Sequence, residues 1–353
     1  MTARRAETAM AVAVLGVVAL LVVPVPATAL DVLLAFSIGI AVLMLLIALG
    51  LTRPLDFSVF PSALLIVTLY RLALNVATTR LILTRGAEGT GAAGHLIETF
   101  GRFAVGGSLV VGLVIFLILL VVNFMVITKG SNRVSEVAAR FVLDAMPGKQ
   151  MSIDADLAAG IVDDREARRR RQTLEQEAEF FGAMDGASKF VRGDAVAGLI
   201  ITAINIVGGF FIGVVQHGAD VETAAQTYTI LTIGDGLVSQ IPALLISTAA
   251  GIIVTRAASE ADLGSEVTGQ LFASPRVLWL VSAILGAFAV LPGLPFLPFV
   301  MLAAAAGGMA SQGGLGQAPA ARDAGAGVPA LRVETERPEL LLPLDQMELE
   351  VGF

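Results

Sequence analysis

The residues of this chain whose types and positions could do chemistry are ionisable groups set in or against long apolar runs. Arg71 falls about 14 residues into one such run, near mid-membrane at about 1.5 Å per residue, and needs a buried partner. Arg80 closes the same run. Asp194 stands where a polar segment gives way to another apolar run, with Lys189 and Arg192 just before it, and Asp235 lies between Gly234 and Gly236. A charge in hydrocarbon costs at least about 2.5 kcal/mol and persists only with a partner or water, so each of these groups is a candidate for carrying or gating an ion. Each has a structural reading as well. Lys189 and Arg192 could snorkel and fix topology. Asp194 could be the N-cap of the helix it opens. Asp235 could be a turn residue in Ile-Gly-Asp-Gly. A carboxylate at Asp194 would change its proton affinity if Lys189 or Arg192 moved, which makes it a candidate switch fed from the far side by way of Asp235.

Other chemistries find little support. Pro147-Gly148-Lys149-Gln150 lacks the upstream glycine and the Ser or Thr of a nucleotide-binding loop. His95 and His217 have no ligand-like spacing, and no serine has an evident paired base, so neither a metal centre, a cofactor nor enzymatic catalysis is expected. The chain has no cysteine, hence no disulfide and no thiolate site. A net charge of −7 without a basic patch leaves no footprint for nucleic acid.

The elements that must position these groups are membrane helices. Apolar residues make up 56% of the 353, only 15% are charged, and the mean hydropathy is +0.83, a balance that places most of the chain in lipid. Eight apolar stretches approach the roughly 20 residues of a spanning helix, near 9–27, 30–51, 57–78, 103–128, 195–215, 237–255, 277–290 and 295–309. Backbone satisfaction makes them helices. Arg4, Arg5 and the triplet Ala27, Thr28, Ala29 imitate a secretory signal, but a second apolar run starts at Leu30, so a helical hairpin is the better reading. Of the 23 Lys and Arg, all but Arg71, Arg80, Arg85 and Arg102 fall on one side if both ends face the cytoplasm.

The expected fold is therefore an all-α polytopic membrane protein of about eight transmembrane helices, with a cytoplasmic helical insert between spans four and five. Helices one to four occupy 1–128, the insert 129–193, helices five to eight 194–309, a Gly/Ala/Gln/Pro linker 310–330, and the start of a cytoplasmic domain 331–353. The insert holds 11 basic and 11 acidic side chains, which suggests paired charges on folded helices. Arg133, Val137, Arg140 and Asp144 share one helical face, and Glu136 lies four residues before Arg140. Pro147 and Gly148 should end that helix, and Asp163 with Glu166 should open the next with a capping box. Arg168 to Arg171 could meet anionic lipid, but the acidic run that follows points to pairing within the insert or with a neighbouring subunit.

The stretch NFMVITKGSNRVSEVAARFVLDAMPGKQMSIDADLAAG, from Asn123 to Gly160, resembles the signature region of the FHIPEP family of type III export-gate proteins. The similarity continues through EARRRR, FFGAMDGASKFVRGDAVAG, INIVGG, QHG and TYTILTIGDGLVSQIPALLISTAAGIIVTR, and earlier through RLALNVATTRLIL. MDGASKFVRGDA is more like the flagellar branch than the injectisome branch. The resemblance implies a bacterial inner-membrane ring of several copies, usually nine, beside the other membrane subunits of the export channel, coupling proton or sodium entry to the export of unfolded proteins. It implies that the ATPase stalk, chaperones and substrates dock on a large cytoplasmic domain beyond the linker, absent here. It also implies export roles for Arg80, Arg133, Arg140, Asp144, Lys189, Asp194 and Asp235, and more loosely for Arg71. Besides an ion-coupled gate, flagellar or injectisome, two further functions fit the residues. One is a small-molecule transporter, for which no partner to the LTIGDG break occurs in the first four spans. The other is a passive scaffold.

Overall fold

In a computed structural model of the chain, residues 2–256, 263–291 and 295–312 are described, and all regular structure among them is helical. The expected linker from 313 on and the start of a further domain at 331–353 lie outside the described residues. The chain divides into two units, one ending at Gly264 and one starting at Ser265.

The first unit contains α1 (Thr2–Val22), α2 (Ala27–Gly50), α3 (Phe60–Arg85), α4 (His95–Val105), α5 (Leu109–Met125), α6 (Asn132–Ala158), α7 (Asp164–Phe211) and α8 (Val221–Thr255). Pro24 and Pro26 separate α1 from α2, because a residue before proline is pushed out of the helical region. Pro54 opens a short 3-10 turn, Pro54–Phe57, between α2 and α3. Left-handed Gly106 and Gly107, at φ 52° and 92°, form the corner at which α5 turns 104° from α4. Among the described residues, four helical segments are long and apolar enough to cross a membrane: Ala27–Gly50, Phe60–Glu88, Asp164–Gln216 and Val221–Thr255. The count rises to six if each bent pair, α4 with α5 and Leu263–Leu271 with Pro275–Val290, is one span. Glu7–Val22 and Phe296–Ser311 are shorter apolar helices. Outward residues such as Val110, Val114, Ile118 and Val121 on α5 and Phe36, Leu43 and Leu46 on α2 are exposed, as a lipid-facing surface requires.

Two expectations about helix limits are corrected. Pro147 lies inside α6 and does not end it. An interior proline costs about 3 kcal/mol. It stands here on the exposed side, where the carbonyl left without a donor can meet water, while the other side of α6 packs on α7. Ser188 Oγ donates to Ser135 Oγ at 2.9 Å, Lys149 meets Glu177 at 3.1 Å, and Ile153 is buried against Ala167 and Leu174. Second, α7 runs without a break from the insert into the apolar segment, so Asp194 lies well inside a 48-residue helix and is not an N-cap. The start of α7 is as expected: the Asp163 carboxylate accepts from the Glu166 amide at 2.7 Å. Glu166 does not close the box, however. Hydrogen bonds from Arg169 and then Arg170 engage its carboxylate and hold it below the usual carboxylate range. Arg170 also pairs with Asp156, and Arg171 with Asp154. Arg169, Arg170 and Arg171 are thus paired within the insert, with acids that precede them.

One buried core joins α2, α3, α6, α7 and α8 through Met44, Leu64, Ala139, Phe181, Met184 and Ile246. A second joins α2, α3, α4 and α8 around Leu30, Leu74, Ile97 and Leu231. In the other unit, α9 (Leu263–Leu271) meets α10 (Pro275–Val290) at 71°, and α10 pairs antiparallel with α11 (Phe296–Ser311), where Ser282 Oγ donates to the Ala303 carbonyl at 2.7 Å.

The Ile-Gly-Asp-Gly segment is not a turn either. It lies inside continuous α8, and its glycines are sites of close approach. A Cβ on Gly234 would sit 2.0 Å from the Ile97 carbonyl oxygen of α4, and one on Gly236 would sit 2.5 Å from the Phe116 ring of α5. Gly234→Ala should therefore force α4 away from α8 and destabilise the protein by about 1–3 kcal/mol, the range for overpacking. A lowered thermal midpoint in detergent is the measurement, and Gly251→Ala, where a Cβ meets nothing within 4 Å, is the control.

Candidate functional site

Three helices each carry a row of polar residues on one face, and the rows meet inside the bundle. On α3 these are Arg71, Asn75 and Thr78; on α7, Asp194, Thr202 and Asn205; on α8, Asp235 and Ser239. Spacings of three, four and eight keep each row on one side of its helix. All but Ser239 are buried, Arg71 and Asp235 each 5% exposed, Asp194 3% and Asn205 fully enclosed.

At one end, Arg71 Nη1 pairs with Asp194 Oδ2 at 2.8 Å, and Arg71 Nη2 donates to the Ser239 carbonyl at 3.1 Å. Pro242, within the same turn, has no N–H to offer the Val238 carbonyl four residues before it. At the other end, Asn205 Nδ2 donates to Asp235 Oδ2 at 3.1 Å, and Thr78 lies within hydrogen-bonding reach of the same carboxylate. Asp194 and Asn205 are 11 residues apart on α7, about 16 Å at the helical rise.

A cavity of about 30 Å3 adjoins the Arg71–Asp194 pair, lined also by Asn75, Asn123, Thr202 and Gln240. Asp194 Oδ1, Asn123 Oδ1 and Arg71 Nε are buried there without a hydrogen-bond partner. A space of that size with several polar groups can hold a water molecule. Asn123 comes from α5, just before a π-helical segment, Val126–Ser131, that leads into α6; such segments are frequent at functional sites. The arrangement can hold an opposed pair of charges in an apolar bundle and offers hydrogen-bonding groups between two buried carboxylates.

Sequence reasoning found Arg71, Asp194 and Asp235, and its demand for a buried partner to Arg71 is met by Asp194. It chose the wrong neighbours for Asp194. Lys189 pairs with Asp185 one turn earlier at 2.7 Å, and Arg192 is exposed, because residues two and five back on a continuous helix do not share the Asp194 face. Arg80 lies apart from this cluster: Nη1 and Nη2 donate to the carbonyls of Val22 and Leu21 at 2.8 and 2.9 Å, so the cation caps the C-terminal end of α1. Arg133, Arg140 and Asp144 are exposed on α6, where Arg133 meets Glu136 at 3.4 Å and Arg140 meets Asp144 at 3.7 Å. Asn75, Thr78, Asn123, Thr202, Asn205 and Ser239 were missed. The signal was present, since each lies in or beside an apolar run at helical spacing from a charge already singled out.

Comparison with known proteins gives a consistent result. The model of the FHIPEP family matches residues 17–353. The chain is 58% identical over 306 residues to the flagellar biosynthesis protein FlhA of Caulobacter vibrioides, which covers 87% of this chain and 44% of that protein. It is 55% identical over 297 residues to the protein of the same name from Salmonella typhimurium, covering 84% and 43% respectively. For that of Bacillus subtilis the identity is 57% over 280 residues, covering 78% and 41%. The chain thus spans less than half the length of each of these relatives. No solved structure matches it.

Removing one partner of a buried pair leaves an uncompensated charge, at a cost of about 3–5 kcal/mol. Arg71→Leu should lower stability in detergent by that amount, and Arg71→Leu with Asp194→Leu should cost clearly less than the two single changes summed. Additive effects would show that the two groups do not depend on one another.

Proposed function

The chain belongs to the FHIPEP family, and on that basis we propose that it is a membrane-embedded part of a flagellar type III export gate in a bacterial inner membrane, coupling ion entry to protein export. In this reading the eight apolar elements each cross or enter the bilayer, and the α6–α7 insert and both ends of the membrane part face the cytoplasm. Several copies form a ring, nine being usual in the family, beside the other membrane subunits of the gate. The ATPase stalk, chaperones and substrates act through cytoplasmic parts of the full-length protein.

The observation that carries the coupling is the buried Arg71–Asp194 pair, joined through a polar row to Asp235. While Asp194 is charged, attraction to Arg71 holds α7 against α3 and α8. A cation or proton that reaches Asp194 along the Asp235, Asn205 and Thr202 row neutralises it and weakens that attraction. α7 is one helix from Asp194 down to Asp164, so a shift at Asp194 is passed about 45 Å to the insert without an intervening hinge. The exposed Arg133, Arg140 and Asp144 on α6 then meet a neighbouring copy or another gate subunit in a changed position. A passive scaffold would also keep a buried pair, but it would have no need for a polar row leading away from it.

Asp194→Asn in the full-length protein removes the charge and keeps a hydrogen-bonding oxygen. With membrane levels and ring assembly confirmed, export should fall to background, and Asp194→Glu should restore part of it. Near-normal export by Asp194→Asn would leave the pair a structural one. Arg133→Ala with Arg140→Ala should weaken export without reducing membrane insertion, measured as secreted flagellar protein against the amount of gate in the membrane.

A further inference from the structure

We propose that the groove between the Pro54–Phe57 turn and the α6–α7 hairpin binds the phosphate-bearing headgroup of an anionic membrane lipid. Arg53, Lys149, Arg169 and Arg170 line a cavity of about 590 Å3 together with Ser152, Thr173, Ile153 and Leu174. Four cations from three elements thus line one recess; Glu177 lines it too, and Glu166 and Asp156 pair with its two α7 arginines.

Their local pairing leaves donors over. Lys149 spends one contact on Glu177. Arg169 engages Glu166 through Nε and Nη2, and Arg170 uses Nε and Nη1 on Glu166 and Asp156. Arg169 Nη1 and Arg170 Nη2 therefore keep N–H groups beyond those pairs, and an ammonium keeps two more. Among the described residues the Arg53 guanidinium forms no ion pair, its backbone amide donating to Asp56 Oδ2 at 2.9 Å, and the residue is exposed. Guanidinium and ammonium donors with the Ser152 hydroxyl are a set suited to phosphate oxygens, while the Thr173 hydroxyl donates to the Arg169 carbonyl at 3.0 Å.

Position selects the lipid over other phosphates. Arg53 lies in the nine residues between Gly50 and Phe60, which join two helices long enough to span a membrane, so it is held at headgroup level. The recess is far larger than one inorganic phosphate, and its Ile153–Leu174 floor offers apolar contact to glycerol and the first acyl carbons. Basic residues at that level draw anionic lipid with about 1 kcal/mol each, or about fivefold in affinity. The site is independent of the export reading, since it uses none of the residues of the buried row.

The test is native mass spectrometry of the detergent-solubilised chain, titrated with phosphatidylglycerol, phosphatidylcholine or inorganic phosphate. Phosphatidylglycerol should stay bound under conditions that strip phosphatidylcholine. Arg53→Gln, which breaks no ion pair and should keep the helix content seen by circular dichroism, should weaken that retention about fivefold, and Arg53→Lys should restore most of it. Equal retention of the two lipids overturns the proposal, as does a lack of effect of Arg53→Gln. Displacement of the lipid by inorganic phosphate or by a poly-glutamate peptide at matched concentration would overturn it too, by showing a free-anion or protein-docking site.

Discussion

A charge enclosed by apolar helices has to be answered by another charge, and that demand organises the bundle. Arg71 lies inside α3 with 5% exposure, far from any solvent that could hold it. Its answer comes from Asp194 on α7, and its Nη2 donates to the Ser239 carbonyl of α8. The three central helices are thereby locked in one rotational setting. A helix turned by a single residue, about 100°, would bring an apolar side chain to Arg71 and send the carboxylate toward lipid.

Once that setting is fixed, the second polar cluster follows from helical geometry. Asn205 lies on the same face of α7 as Asp194, and Thr78 on the same face of α3 as Arg71. Asp235 sits one turn before Ser239 on α8 and so arrives between them. The flanking glycines let α4 and α5 close over it, which keeps Asp235 buried without a second helix break. Short α4 is held there by Asp31 of α2, whose two carboxylate oxygens each accept from an amide at the start of α4, those of His95 and Leu96, both at 3.0 Å. A short helix lying against the bundle needs such a cap, since its first amides have no partner of their own.

The insert is stabilised by different means from the membrane part. Its surface carries exposed ion pairs, Lys149 with Glu177, Arg170 with Asp156 and Arg140 with Asp144, beside exposed apolar side chains such as Phe141, Met151 and Ile161. Exposed pairs of this kind add little each, about 0–1 kcal/mol, so the α6–α7 hairpin rests more on its small apolar cluster and on sharing α7 with the membrane part. That sharing makes the insert an extension of the bundle. A helix interrupted at Gly193 would have made it a separate body.

Much of this was legible in the residues alone. The apolar runs announced membrane helices, because no other structure satisfies its backbone in lipid. The charges within those runs announced the site, because such groups are too costly to keep without a use or a partner. The Asp163 cap was legible from three residues, because capping is a local event. Partners were not. Lys189 and Arg192 looked like the neighbours of Asp194 since they were near in sequence, whereas its partner Arg71 is more than a hundred positions away. Pro147-Gly148 and Gly-Asp-Gly looked like breaks because local propensity says so. In the folded chain, α7 packed along α6 outweighs the proline, and α4 and α5 use the glycines for contact. The sequence by itself determined that the apolar runs are helices and which groups are too polar for their surroundings. Which of those groups meet was decided only by tertiary structure, since pairing depends on the rotation and register of helices that packing sets.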